Sequence, residues 1–210
     1  MDVGRTLESL NSLGSPRSLN SPDSLNSLNS LEARLDRVES HLAIQQLPIR
    51  YALAVDSRDL DAWVACFRPD VDMGRHGSGR EALRQYLEPM VRGFYRSVHQ
   101  ICGHRVEFDN GDPGSDSAPD RATGSVYCRA EHEVGDRWIV MAIRYLDDYA
   151  RIDGEWFFSR RREQHWYAAD VTERPQAVGF QGWQEMSGEP ALPGAFPTWN
   201  AFWDRNNHVL

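Results

Sequence analysis

Four side chains in this sequence could together move a proton: Tyr51, Asp56, His99 and His132. An imidazole titrates near neutral pH, a carboxylate beside it orients and charge-stabilises the ring, and a phenol donates a hydrogen bond to a carbonyl or a departing oxygen. Tyr51 and Asp56 close an apolar-periodic segment, Arg50-Tyr51-Ala52-Leu53-Ala54-Val55-Asp56, whereas both histidines fall in segments that alternate like strands. Five residues apart on an ideal helix, Tyr51 and Asp56 point about 140° away from one another, so they converge only where the last helical turn loosens. Ala122, Gly124, Val126, Cys128, Ala130, His132 and Val134 share one face of a strand, which places His132 on an apolar side. A regular strand would group Val98, Val106 and Phe108 and send His99 to the opposite face. One bulge near Gly103 puts His99 and Ile101 with Val106 and Phe108, and that bulge is the expectation.

The elements that position these groups follow from the hydrophobic period. Residues 1–29 repeat Ser, Leu and Asn and read as a disordered low-complexity tail. Asn29 precedes Glu32 at capping-box spacing, and Leu31, Leu35, Val38 and Leu42 follow at helical intervals. A helix is therefore expected from residue 30 to near Asp56, kinked or restarted at Pro48. Ser57 is expected to cap a second helix over 58–67, buried through Leu60, Trp63, Val64 and Phe67. A short strand at 71–73 and Gly77-Ser78-Gly79 lead to a third helix over 80–94, with Leu83, Tyr86, Leu87, Met90 and Val91 inward. From Ser97 the period becomes two, giving strands at 97–109, 122–135, 137–150 and 155–167, with tight turns at Gly135-Asp136 and Asp153-Gly154. Three helices followed by an antiparallel meander make one α+β domain over residues 30–170. Residues 171–210 lose periodicity but keep Phe180, Trp183, Phe196, Trp199, Phe202 and Trp203. They read as an aromatic arm packed over this domain or a neighbouring subunit, with a pocket lid as the lesser alternative.

Charge and composition narrow the partners. Lys and Arg number 23 against 31 Asp and Glu, a formal net charge of −8, so the chain lacks the electrostatic footprint of nucleic-acid binding. Cys66, Cys102 and Cys128 have no paired spacing and read as reduced, mostly buried thiols. No apolar run approaches the roughly 18 residues of a membrane span, and the N-terminus has no hydrophobic signal core. A cytoplasmic protein without membrane association is the expectation. The histidines lack a His-x-x-x-His spacing, so no metal site is expected. Arg160-Arg161-Arg162 alternates, so one member faces inward, as the middle one would if its neighbours are solvated. Trp63, Met73, Tyr86, Met90, Met141 and Tyr145 are candidates for the lining of an apolar pocket.

The string from Arg50 to Asp70, with Asp56-Ser57-Arg58-Asp59-Leu60-Asp61-Ala62-Trp63 at its centre, resembles the first helices of SnoaL-like proteins in the NTF2-like superfamily. Gly79-Arg80-Glu81-Ala82-Leu83 and the string from Tyr145 to Trp156 resemble later parts of the same pattern, so the likeness spans about residues 31–167. It implies an NTF2-like cone, three N-terminal helices packed on a curved, mostly antiparallel sheet. The most similar branch is that of scytalone dehydratase, lindane dehydrochlorinase and bile-acid 7α-dehydratase. That branch implies a lyase of the dehydratase type, or a proton-shift isomerase, working on a hydrophobic small molecule without a cofactor. Asp56 would then support His99 as the base, His132 would stand for the second histidine of scytalone dehydratase, and Tyr51 would donate to a carbonyl or leaving group. Arg161, or its neighbour Arg160 or Arg162, would stand for an arginine of the last strand that is functional in some members and meet the substrate there. The early-strand tyrosine of scytalone dehydratase has no counterpart in Val71-Asp72-Met73-Gly74-Arg75. The resemblance also implies a homo-oligomer, trimer or dimer. The same fold hosts non-catalytic ligand-binding and protein-interaction modules, which is the alternative function.

Overall fold

Pro22, whose fixed φ and missing N–H suit the first turn of a helix, opens α1 (Pro22–Ser57). The computed structural model describes residues 22–109 and 119–171 and the single positions 180, 188, 191 and 195. The expectations for residues 1–21, for the 110–118 loop and for most of the C-terminal arm lie outside the described residues. α1 runs unbroken through Asn29, so the expected capping box is not its start, and through the fully buried Pro48. Its inner face is Ile44, Leu47, Tyr51, Ala54 and Val55, all buried. Leu31, Leu35, Val38 and Leu42, whose period marks the helix, point away from that face and are exposed.

Asp59, not Ser57, caps α2 (Leu60–Ala65): its side chain accepts the Ala62 N–H, because Ser57 is still helical in α1. In place of the short strand there is one bridge, Asp72 to Ser78, around a 3-10 turn at Gly74–His76. α3 (Gly79–Val91) buries Leu83, Leu87 and Val91, whereas Tyr86 and Met90 are partly exposed on its flank.

Four strands follow, β1 (Ser97–Phe108), β2 (Arg121–Val134), β3 (Arg137–Ile152) and β4 (Glu155–Asp170), paired in chain order as an antiparallel, curved sheet. The expected bulge in β1 is present between Ile101 and Gly103, and the buried and half-buried positions shift from 97, 99 and 101 to 104, 106 and 108 across it. Two further irregularities interrupt β4, where the pairing register with β3 steps past Ser159 and past Trp166. After Trp156 and Phe158, strict alternation would turn Arg160 inward; the extra Ser159 turns Arg161 and His165 inward instead and sets Glu163, whose side chain is 44% exposed, on the same face. Three helices packed on this sheet form the NTF2-like cone. One core cluster joins α1–α3 to Ala122, Tyr149, Trp156 and Phe158, and a second gathers Val126, Cys128, Ala130, Met141, Ile143, Tyr145 and Phe180 on the sheet.

Gly124 lets the Tyr149 ring approach the backbone of β2 closely. A Cβ there would stand 2.8 Å from Tyr149 Cε2 and 2.9 Å from the Arg105 carbonyl oxygen. Gly124→Ala is expected to destabilise the fold by about 1–3 kcal/mol through overpacking, read as a lower urea midpoint with an unchanged m-value; an unchanged midpoint would mean that Tyr149 moves aside freely.

Candidate active site

The last turn of α1 and the first residues of β1 meet through one carboxylate. Asp56 accepts hydrogen bonds from the Ser97 hydroxyl at 2.7 Å, the His99 backbone N–H at 2.8 Å and His99 Nδ1 at 2.7 Å. β1 is an edge strand, so the His99 N–H has no neighbouring strand on that side and Asp56 takes its place. Arg58 braces the joint: its guanidinium donates to the Val55 and Phe94 carbonyls and to Ser97 Oγ and lies over the Phe94 ring. Arg58 holds this position with φ at 62°, a left-handed conformation that a non-glycine residue keeps only when its surroundings compensate.

Burial raises the Asp56 pKa, but the donors from His99 and Ser97 outweigh it and hold the carboxyl below the usual range. An ionised Asp56 can only accept, so the His99 proton sits on Nδ1 and Nε2 is left as the basic nitrogen. The His99 side chain is 7% exposed. His132 packs edge-on to it with ring centroids 5.3 Å apart, and Phe94 closes on His132 from the other side at 4.6 Å. Burial, with the neighbouring His99 adding to it, lowers the His132 pKa to about 4.

Both imidazoles open on a cavity of about 260 Å³ at the meeting of the two core clusters. Tyr51, Trp63, Tyr86, Met90, Met141 and Tyr145 line it, as do Val55, Phe94 and Ile143. Tyr51 packs edge-on to Trp63 and Tyr145, and burial, reinforced by the Glu163 charge, pushes its phenol pKa well up, so the hydroxyl keeps its proton.

Two expected lining residues stand elsewhere. Met73 packs against the helical core cluster and does not reach the cavity. Arg161 faces inward but is committed to Asp147 through two hydrogen bonds of 2.8 and 2.7 Å, and its Cζ lies 4.1–4.4 Å from the ring centres of Tyr145, Phe158 and Tyr51. It props two aromatic walls of the cavity from behind. Asp147 also accepts from Tyr149, whose hydroxyl meets His104 Nε2 at 2.8 Å; the His104 proton must then sit on Nε2.

Glu163 lines the cavity and was not singled out from the sequence. Alternation from an inward Arg161 would have found it, since Glu163 and His165 sit two and four residues further on the same strand. Burial raises its carboxyl, but His165, with Nε2 3.4 Å away, and Arg161 more than offset this and leave it below the usual range. The wall of the cavity therefore carries an anion as well as the two imidazoles of His99 and His132. Among the described residues no group of three or more His, Cys, Asp or Glu is gathered to hold a metal, and no helix is long and apolar enough to cross a membrane.

The pattern of the SnoaL-like domain matches residues 36–162. Gamma-hexachlorocyclohexane dehydrochlorinase of Sphingobium indicum is 28% identical over 135 residues, 60% of this chain and 81% of that protein. The crystal structure of LinA superposes with a TM-score of 0.56 at 27% identity, over 68% of this chain and 96% of its own. A scytalone dehydratase-like protein from Novosphingobium aromaticivorans shares the fold, with a TM-score of 0.52 at 20% identity over 67% of this chain and 93% of that one.

The buried His132 leads to a pH prediction. Its unfolded form takes up a proton near pH 6.5 and its folded form only near 4, so the unfolded state binds more protons in between. Stability from this group is present above pH 6.5 and is lost as pH falls towards 4. In a histidine NMR titration, His132 is expected to show a midpoint near 4; a midpoint above 6 would mean that the ring is solvated.

Proposed function

The chain belongs to the SnoaL-like domain family, and we propose that within it this protein is a cofactor-independent lyase acting on a neutral, hydrophobic, cyclic small molecule. The single observation that carries this reading is the Asp56–His99 pair, 2.7 Å apart at the wall of an apolar cavity. His99 Nε2 takes a proton from a substrate carbon while Nδ1–H stays on Asp56. The imidazolium so formed is stabilised by the adjacent carboxylate; the C–H electron pair becomes the new C=C bond as the neighbouring carbon loses chloride, or loses its hydroxyl as water with the proton returned by His99 Nε2. The dehydrochlorinase relative, whose name describes loss of hydrogen chloride, supports elimination as the reaction class.

The protonation states divide the remaining labour. Tyr51 keeps its proton and donates a hydrogen bond to the departing group. His132 is neutral at pH 7, so it serves through an N–H hydrogen bond and not as an imidazolium acid. Glu163 adds a negative charge to the cavity wall that repels acidic ligands. Size narrows the class further: a cavity on the order of 150 Å³ holds benzene, so about 260 Å³ suits a substrate of one or two rings.

Purified protein incubated with gamma-hexachlorocyclohexane and with neutral cyclic β-hydroxyketones is expected to release chloride or water. His99→Ala and Asp56→Asn are each expected to lower kcat by about 10²–10⁴-fold with melting temperatures little changed. Full turnover in both variants would remove His99 as the base. Binding of these compounds without any turnover by the native chain would make the protein a ligand-binding module.

A further inference from the structure

Leu28, Leu31, Leu35, Val38 and Leu42 are 45–57% exposed on α1, at intervals of three and four residues. That spacing places them at the first (a) and fourth (d) positions of a seven-residue repeat, and Ile49, also exposed, falls on the next a position but one turn beyond a polar Gln45 at d. The opposite face of the same helix is already occupied by its own domain. Asp36 pairs with Arg151 at 2.8 and 3.0 Å, Arg37 lies over the Phe108 ring, His41 packs edge-on to it, and Ser40, Ile44 and Leu47 are buried. The apolar seam is therefore an outward stripe on a helix held firmly from behind.

The flanking charges specify the occupant. Glu32 and Glu39 take the e positions and Arg34 the g position beside the seam. In a parallel, in-register pair the g residue of one helix faces the e residue of the next repeat on the other, which sets Arg34 against Glu39 twice over by symmetry. An antiparallel pair would instead set e against e and g against g, Glu32 against Glu39 and Arg34 against His41. Charged residues at e and g also limit the apolar strip to two positions per repeat, the width of a two-stranded seam. We propose that α1 pairs with α1 of a second copy of this chain as a parallel two-stranded coiled coil over residues 28–42, with the two sheets on the outer sides of the pair. The cavity of each copy is untouched, so this association is independent of the chemistry.

Sedimentation equilibrium of the full chain at tens of micromolar is expected to give twice the 24.0 kDa chain mass. Leu35→Glu with Leu42→Glu is expected to give single chains with an unchanged circular dichroism spectrum, because neither side chain packs in its own domain. Arg34→Glu is expected to weaken the dimer and Arg34→Glu with Glu39→Arg to restore it. Val38→Cys, in a background with the exposed Cys102 replaced by Ser, is expected to cross-link between copies on mild oxidation, because a d position meets its own counterpart only in a parallel, in-register pair. A monomeric native chain, a trimer, an assembly that survives the double Glu variant, or no cross-link at position 38 would each overturn the proposal; persistence of the assembly would move the contact to another surface, such as the aromatic C-terminal segment.

Discussion

Asp56 joins the helical layer to the sheet, and the candidate site exists because of that joint. A carboxylate in the last turn of a helix faces the negative end of the helix dipole. Here three donors from Ser97 and His99 overcome that opposition, and they also set where β1 begins against α1. The same bonds that dock the strand hold the His99 ring in one orientation and one tautomer. Arg58 completes the joint from outside, tying the end of α1 to Phe94 and Ser97 through a backbone conformation that costs about 1–3 kcal/mol and is compensated by those contacts. Structural and chemical roles of Asp56 are one set of hydrogen bonds.

A second polar system lies deeper. Arg161 and Asp147 have side chains 4% and 0% exposed, and a buried pair of this kind is tolerable only when hydrogen bonds and neighbours replace lost water. Tyr149 supplies a further bond to Asp147, and three aromatic rings cover the guanidinium. Two of those rings, Tyr51 and Tyr145, are also cavity walls. An arginine that the resemblance places at the substrate thus acts here on the shape of the pocket, because Asp147 lies directly across from it on β3 and holds it. The charge reaching the cavity from β4 is instead that of Glu163.

Much of the architecture was legible from period alone. The change from a period near 3.6 to a period of two locates the helix-to-sheet transition close to Ser97, and the turn residues at Gly135 and Asp153-Gly154 separate the strands as the structure does. The β1 bulge could be read because the chain carries two apolar groups of opposite phase on either side of Gly103. The β4 bulges could not, since aromatic and charged residues occupy both faces there and leave no phase to break. The helical period of Leu31, Leu35, Val38 and Leu42 identifies a helix equally well whether its stripe faces a core or a partner, so the spacing locates the element without its direction.

The residue pattern by itself determined the element types, their order, the apolar face that carries His132 and the candidate set of Tyr51, Asp56, His99 and His132. These follow from local spacing, which the backbone translates directly into faces. The tertiary structure alone decided the protonation states and the partners. His132 is neutral because surrounding side chains strip it of water, Arg161 is withdrawn because strand register places Asp147 across from it, and Glu163 enters the cavity because of an extra residue in β4. Such outcomes depend on groups brought together from distant parts of the chain, where spacing along the sequence carries no distance in space.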